Sequence, residues 1–498
     1  MNTKALRQKV LDLAIHGKLV PQNPNDESAT VLLEKIRAEK AEKIKKGELK
    51  ADKKDSFIFV GSDKRHYEQF ADGTVKDIED EIPFEVPEGW AWCRLPEICV
   101  IPITDGTHQT PTYSDKENGV PFLSSKDVTS GKIDWSKIKY ITKELHQELQ
   151  KRIASKKDDI LLAKNGTTGV AAIVEDETIF DIYVTLAVIR PNQKIVYPKF
   201  LLNIINSPFC KNQFNEHLTG IGVPNLHLVD INKTFVPLPP LNEQRQITDK
   251  IGSYTVHIDE LEKNKSDLQT AIKQAKSKIL DLAIHGKLVP QDSNDEPAEE
   301  LLKRIATSDN RPYEKVKEEP FEIPDSWKWV KLGDIGQTNI GLTYHPNDIS
   351  NTGITVLRSN NIQNDKLCFD DVVKVNPNTK ILNNQYINNG DILICARNGS
   401  QSLVGKCVLI DNLREKTSFG AFMAVFRSHY NQYILKYLQS KYFKDYMFES
   451  NSTQIHQLTQ SMLKDALIPF PPENEQARIV SKIDELYFQL DQIQNNLV

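Results

Sequence analysis

The chain has 498 residues, 39% of them hydrophobic and 26% charged, with a net charge of −5, a pI near 6.2 and a mean hydropathy of −0.46. At about 150 residues per domain this predicts roughly three domains. The abundance of Leu, Ile, Val and Phe along the chain excludes wholesale disorder. No run approaches the ~18 apolar residues of a membrane span. The balance of 63 basic against 68 acidic residues is not the electrostatic footprint of a self-sufficient nucleic-acid binder.

The N-terminus, MNTKALRQKVLDLAIHGKLV, is an amphipathic helical pattern without the apolar core and cleavage site of a signal peptide. Six cysteines, none in a CxxC or CxC pair, predict free thiols in a reducing cytosol. The segment LDLAIHGKLVPQ at 11–22 recurs unchanged at 280–291, and 9–36 against 278–305 has 20 identities in 28 at an offset of 269. Three further pairs follow in the same order: FEVPEGWAWCRLPEI with FEIPDSWKWVKLGDI, DILLAKNGT with DILICARNGS, and PLPPLNEQRQITDKI with PFPPENEQARIVSKI. This order predicts a tandem duplication. The offset drops from 269 to 237 between the first two pairs, which puts 32 extra residues between Ile36 and Phe84. The insert carries KAEKIKKGELKADKK, seven Lys against three acids, read as a solvated helix or linker, with a DNA-backbone contact as the alternative.

Residues 84–240 and 321–470 are rich in Pro, Gly and Asn with short β-branched runs such as GAFMAVF (420–426), which suggests mixed α/β or mainly β domains. Between them, apolar positions step by four and three from Ile247 through Ile251, Tyr254, Ile258, Leu261, Leu268, Ile272, Ala275 and Ile279 to Leu282, with only Lys265 out of character. That 3.5-residue period predicts a coiled coil, roughly 54 Å long at 1.5 Å per residue. Pro239 and Pro240 precede it, and Gly286 after His285 is a plausible C-cap. The C-terminal segment repeats the register from Ile479 to Leu497, and Leu6, Val10 and Leu13 continue it. Side by side, the termini would complete the second copy, a circular pseudo-two-fold arrangement of antiparallel helices. His16 and His285 each sit in a helix's last turn beside a Gly, where imidazole can satisfy the end carbonyls.

Catalytic signatures are missing: the chain has no GxxxxGK[ST] phosphate loop, no GxGxxG after a strand and no [DN]PP[YF] tetrapeptide. Cys93 with Cys99, and Cys395 with Cys407, have no His at ligand spacing and read as buried hydrophobes. What remains are polar loops in equivalent places. Thr104, Asp105, Gly106, Thr107 and His108 fall opposite Gly341, Leu342, Thr343, Tyr344 and His345, and Lys164, Asn165, Gly166 and Thr167 opposite Arg397, Asn398, Gly399 and Ser400. A cation followed by Asn-Gly and a hydroxyl suits phosphate oxygens, and Arg or Asn can read base edges. The same residues also make an ordinary β-turn.

The doubled frame, the LDLAIHGKLVPQ boxes, the PLPPLNEQ and PFPPENEQ boxes and the TDGTHQTP motif resemble the specificity subunit of type I restriction–modification systems. The resemblance covers nearly the whole chain apart from the 40–80 insert. It implies an α+β fold with two mixed α/β target recognition domains separated by long antiparallel coiled-coil helices. The segments are then 1–40, helices completing the second repeat; 41–83, a charged insert or linker; 84–240, the first recognition domain; 241–305, the central coiled coil; 306–320, a linker; 321–470, the second recognition domain; and 471–498, the C-terminal helix. The resemblance also implies a non-catalytic, cytoplasmic protein. Its partners would be double-stranded DNA, two methyltransferase subunits and two restriction subunits, with S-adenosylmethionine, ATP and Mg held by those partners and no membrane contact. DNA contact falls to the paired loops. Subunit docking is expected at exposed helix faces near Asn242, Glu243, Gln244, Asn474, Glu475 and Gln476 and at the His16 and His285 turns. A protein–protein scaffold and a free-standing enzyme are the competing readings.

Overall fold

The structure is a computed structural model that describes residues 2–48, 55–219, 224–308, 313, 315–449 and 457–497. The chain divides into two units, Met1–Asn264 and Lys265–Val498. Both mix helix and sheet, in line with the α+β expectation.

In the first unit, the helix Thr3–Ile15 starts on the Asn2 side chain, which accepts from Ala5 N at 3.0 Å. It ends where Gly17 takes φ +63°. There the Gly17 and Lys18 amides return to the Ala14 and Leu13 carbonyls, a left-handed cap that favours glycine. The helix Ala29–Lys45 follows, capped by Ser28. The insert is folded rather than a linker. Ser56–Val60, His66–Phe70 and Val75–Asp77 form an antiparallel sheet, held to the rest of the unit by Arg94, which donates to Glu68 at 2.8 Å. Part of the Lys-rich run completes the second helix; residues 49–54 lie outside the described set.

The heart of the unit is an antiparallel sheet ordered Ala171–Ile173, Ile160–Ala163, Leu186–Ile189 and Thr104–Asp105. Successive side chains of a strand point to opposite faces. Ile160, Leu162, Ala187 and Ile189 accordingly enter a core shared with Phe200, Leu201 and Ile204. Leu161, Ala163, Leu186 and Val188 enter a second core with Leu123, Phe180 and Ile182. Burial on both faces is why these strands read as unbroken apolar runs. A second sheet, Asp181–Ile182, Val120–Leu123, Lys139–Ile141 and Tyr113–Ser114, has its first pair parallel.

The second unit has the same plan. Gln337–Ile340, Met423–Arg427, Ile392–Cys395 and Cys407–Leu409 form one antiparallel sheet. The other sheet is ordered Val373–Val375, Ile349–Leu357, Thr417–Phe419 and Tyr386–Ile387, with its middle pair parallel. Ile392 and Ile394 face one core, Leu393 and Cys395 another.

Leu241–Ile284 is one continuous helix of 44 residues, and Glu473–Asn495 ends the chain. The heptad seam is buried at Ile247, Ile251, Ile258 and Ile272. The middle of the stripe departs from expectation: Tyr254, Leu261 and Leu268 are 39%, 42% and 38% exposed. Within the first unit Arg7 reaches Asp259 and Glu262 at 2.5 and 3.1 Å. Within the second, the Tyr487 hydroxyl donates to the Lys276 carbonyl at 3.0 Å and Lys276 pairs with Asp491 at 2.6 Å.

Candidate nucleic-acid interface

The first unit brings its two loops together through a buried ion pair. Asp105, 3% exposed, takes the Lys164 ammonium at 3.1 Å, the Arg152 guanidinium at 3.0 Å and the His108 ring at 3.3 Å. Lys164 is therefore not a free surface cation; its side chain is 8% exposed. Gly106 has a steric reason: a Cβ there would lie 2.0 Å from the Ile182 carbonyl oxygen. Thr104 is half-buried in its strand, and Thr107 is buried, accepting on Oγ1 from the Gln109 amide. The solvent-facing members are His108, Gly166 and Thr167, with Asn165 half-buried and donating to Asn225 at 3.4 Å. Gly166 takes φ +78°, the turn conformation that Asn-Gly favours.

In the second unit the corresponding loops line a cleft of about 960 Å³. Thr343 and Tyr344 stand there with Arg397, Asn398 and Gly399. His345 is not on its lining. It is exposed, and its amide donates to Asp348 to open a short turn. The loop register also differs from the sequence match by two residues. Gly106 bonds the Leu186 carbonyl as Gly341 bonds that of Met423, and a Cβ at Gly341 would lie 2.2 Å from the Phe419 carbonyl oxygen. Gly341 is thus the counterpart of Gly106, and His108 that of Thr343. The second pairing is displaced by one residue: Lys164 N donates to Thr185 O at 3.0 Å as Ala396 N does to Phe422 O at 2.9 Å, and Arg397 bridges Gln457 as Asn165 bridges Asn225, so Ala396 is the counterpart of Lys164 and Arg397 that of Asn165. Asn398 accepts from Ser400 N at 3.0 Å and donates to Ser359 Oγ at 3.2 Å, so its side chain closes the bend and also braces the cleft.

Three cleft residues had no signal in the sequence. Arg358 and Asn360 reach the site from the end of the strand Ile349–Leu357, and both contact Asp371. Phe422, 63% exposed, sits in the run read as a strand from Gly420, but the strand begins at Met423. Its ring lies 5.7 Å from the Arg397 guanidinium.

The expected docking residues have another role. Glu243 and Gln244 are 2% and 0% exposed, Glu475 and Gln476 1% and 5%, so they do not lie on open helix faces. Glu243 accepts from the Trp90 indole at 3.0 Å and from Gln22 at 3.1 Å. Gln244 donates to the Ile195 and Pro239 carbonyls at 2.9 Å. In the second unit Glu475 accepts from Trp327 at 2.9 Å and Gln291 at 2.6 Å, and Gln476 donates to Pro471 O at 2.9 Å. The recurring boxes bond to one another inside each unit. Burial pushes both carboxyls up from their ordinary value, against the pull of those donors. Asn242 and Asn474 remain exposed, beside Asp26 and Asp295. His16 and His285 are half-buried, stacked on Phe84 and Phe321 at 4.1 and 3.9 Å, with Nδ1 2.8 and 2.7 Å from the Asp12 and Asp281 carbonyl oxygens.

The model of the type I restriction modification DNA specificity domain matches residues 87–269 and again 324–497. The chain belongs to this family. Relatives include the EcoAI and EcoEI type I restriction enzyme specificity subunits of Escherichia coli, each 28% identical, the alignments covering 97% and 99% of this chain and 88% and 90% of theirs. The EcoKI specificity subunit of Escherichia coli K12 is 22% identical over 83% of this chain and 85% of its own. The fold is similar to that of a chain from a type I restriction–modification complex-assembly study (TM-score 0.55, 21% identity, 83% of this chain and 94% of that one). It is also similar to the HsdS subunit of Thermoanaerobacter tengcongensis (TM-score 0.51, 20% identity, 84% and 94%). As a type I specificity subunit, the protein belongs to a restriction system and to DNA sequence recognition. Among the described residues no helix is long and apolar enough to cross a membrane.

Proposed function

We propose that this chain is the non-catalytic, cytoplasmic subunit that gives a type I restriction–modification enzyme its DNA target. Each of two recognition domains, products of a tandem duplication, reads one half of an asymmetric bipartite site. The observation that carries this reading is the convergence, at the same topological place in each unit, of two polar loops in segments that the specificity-domain model matches. The open members of those loops touch DNA, while Asp105 and Lys164 form the frame beneath them. The long helices set the gap between half-sites, pair as an antiparallel coiled coil, and dock two modification subunits through faces that include Asn242 and Asn474; two restriction subunits join outside. S-adenosylmethionine, ATP and Mg belong to those partners, which also supply much of the phosphate affinity that a net charge of −5 withholds.

The test is N6-methyladenine mapping of the source genome with and without this gene. Loss of methylation at one bipartite motif with a fixed unspecified gap is expected. Retention of every motif in a strain whose partner subunits are active would overturn the proposal.

A further inference from the structure

The two recognition domains carry a cation in equivalent loops, one residue apart in the backbone register, and treat it in opposite ways. In the first, Lys164 is buried and neutralised by Asp105. In the second, Asp105 has no counterpart: the register that pairs Gly106 with Gly341 puts Ile340 there. Arg397 is exposed, and among the described residues no carboxylate comes within ion-pair distance of it. Its backbone is nevertheless firmly held. Ala396 and Arg397 both donate to the Phe422 carbonyl, at 2.9 and 3.0 Å, and Leu458 N donates to the Ala396 carbonyl at 2.7 Å. A pre-positioned guanidinium with unspent donors therefore stands over an exposed aromatic ring, in a cleft lined by polar groups and by Leu342, Ala421 and Met423, whose other guanidinium, Arg358, is paired with Asp371.

We infer that Arg397 reads a guanine in the half-site of the second domain, donating to its O6 and N7 edge, with the Phe422 ring packed against the neighbouring base. This deepens the proposed function and rests on it. Arginine is suited to the role because its planar fork matches the two acceptors that guanine alone presents side by side in the major groove. Exposing a phenyl ring to water is unfavourable unless a partner covers it, and base rings or a thymine methyl are the apolar surfaces that DNA offers. A phosphate contact would need only a flexible charge at a rim, not a guanidinium steadied over a ring in a cleft that also presents Asn398 and Ser359. The first domain makes no matching contact from Lys164, and Asn165 stands at the backbone position of Arg397, so the two half-sites are read by different chemistry at equivalent positions.

The experiment uses the full chain assembled with its modification subunits and N6-methyladenine mapping of DNA exposed to the complex, comparing wild type, Arg397→Ala and Arg397→Gln. The wild-type motif should contain a G·C pair at which Arg397→Ala alone lowers discrimination, by roughly 10- to 100-fold, with every other position kept. Arg397→Gln should relax the same position and move preference towards adenine, whose N6 and N7 match the Gln amide. An unchanged motif with evenly reduced methylation would make Arg397 a phosphate contact and overturn the inference. Loss of all methylation in both variants would make it a structural residue and also overturn it. If the wild-type complex itself methylates no bipartite motif, the proposed function fails, which separates that failure from this one.

Discussion

Asp105→Ala is the perturbation that best tests how the first recognition domain is built. The Asp105 and Lys164 side chains are 4% and 8% exposed and 3.1 Å apart, so the substitution strands an ammonium group in the interior. Arg152, 48% exposed, can turn to water at little cost; Lys164 cannot. Removing one partner of a buried pair costs about 3–5 kcal/mol. For a unit of this size, that corresponds to a fall in melting temperature of about 6–20 °C. The assay is calorimetry of the full chain carrying Asp105→Ala, Lys164→Met, or both. Because Met keeps the stem and discards the charge, the double variant should recover most of the loss, giving a coupling of more than about 1 kcal/mol. A shift under about 2 °C for Asp105→Ala, or strictly additive effects, would refute the burial argument and return Lys164 to the surface as a free cation.

Three other outcomes are expected. Glu97, in the short turn Leu95–Ile98, is raised from 4.5 to about 7 by burial, against the pull of Arg37 at 2.7 Å, and its Oε2 has no partner among the described residues. A raised carboxyl binds its proton more tightly in the folded state, so its contribution is fullest below about pH 4.5 and declines by about 3 kcal/mol as pH rises to about 7. Denaturant titrations at pH 5 and 8 should show Glu97→Gln flattening that slope, and parallel slopes would contradict it. Gly106→Ala and Gly341→Ala drive a Cβ to 2.0 and 2.2 Å from backbone oxygens. Each should cost about 3 kcal/mol and displace its loop, seen as a lowered melting point together with loss of DNA binding by the assembled complex. Trp90→Phe and Trp327→Phe remove the indole donors to Glu243 and Glu475. Each should lower stability by about 1–3 kcal/mol, measurable by calorimetry; unchanged melting would mean that the carboxyls find other donors.

Much of this protein was already written in its linear order. The long helix is bounded by Pro240 and Gly286 and marked by a regular apolar period, and those signals are local: a proline ends or starts a helix and a left-handed glycine caps it wherever they occur. The recurring boxes and the polar loops were legible because identical residues in the same order need no three-dimensional knowledge to detect. Long-range contact decided the rest. The insert, whose lysines read as a solvated helix or linker, also carries a small sheet, which folds because Glu68 finds Arg94 and Ile58 shares a core with Trp92 and Phe235. The Glu-Gln pairs of the NEQ motifs, read as open faces, are interior because Trp and Gln donors from distant segments satisfy their carboxylates. Lys164 and Arg397 look alike in their motifs, but the fold sets Lys164 against Asp105 and places Arg397 one residue further along the loop, at the position of Asn165, where it stands exposed. Charge and periodicity are properties of a segment. Burial and pairing are properties of what the fold brings opposite it, which is why the candidate loops could be located from the sequence while the roles of their residues had to come from tertiary structure.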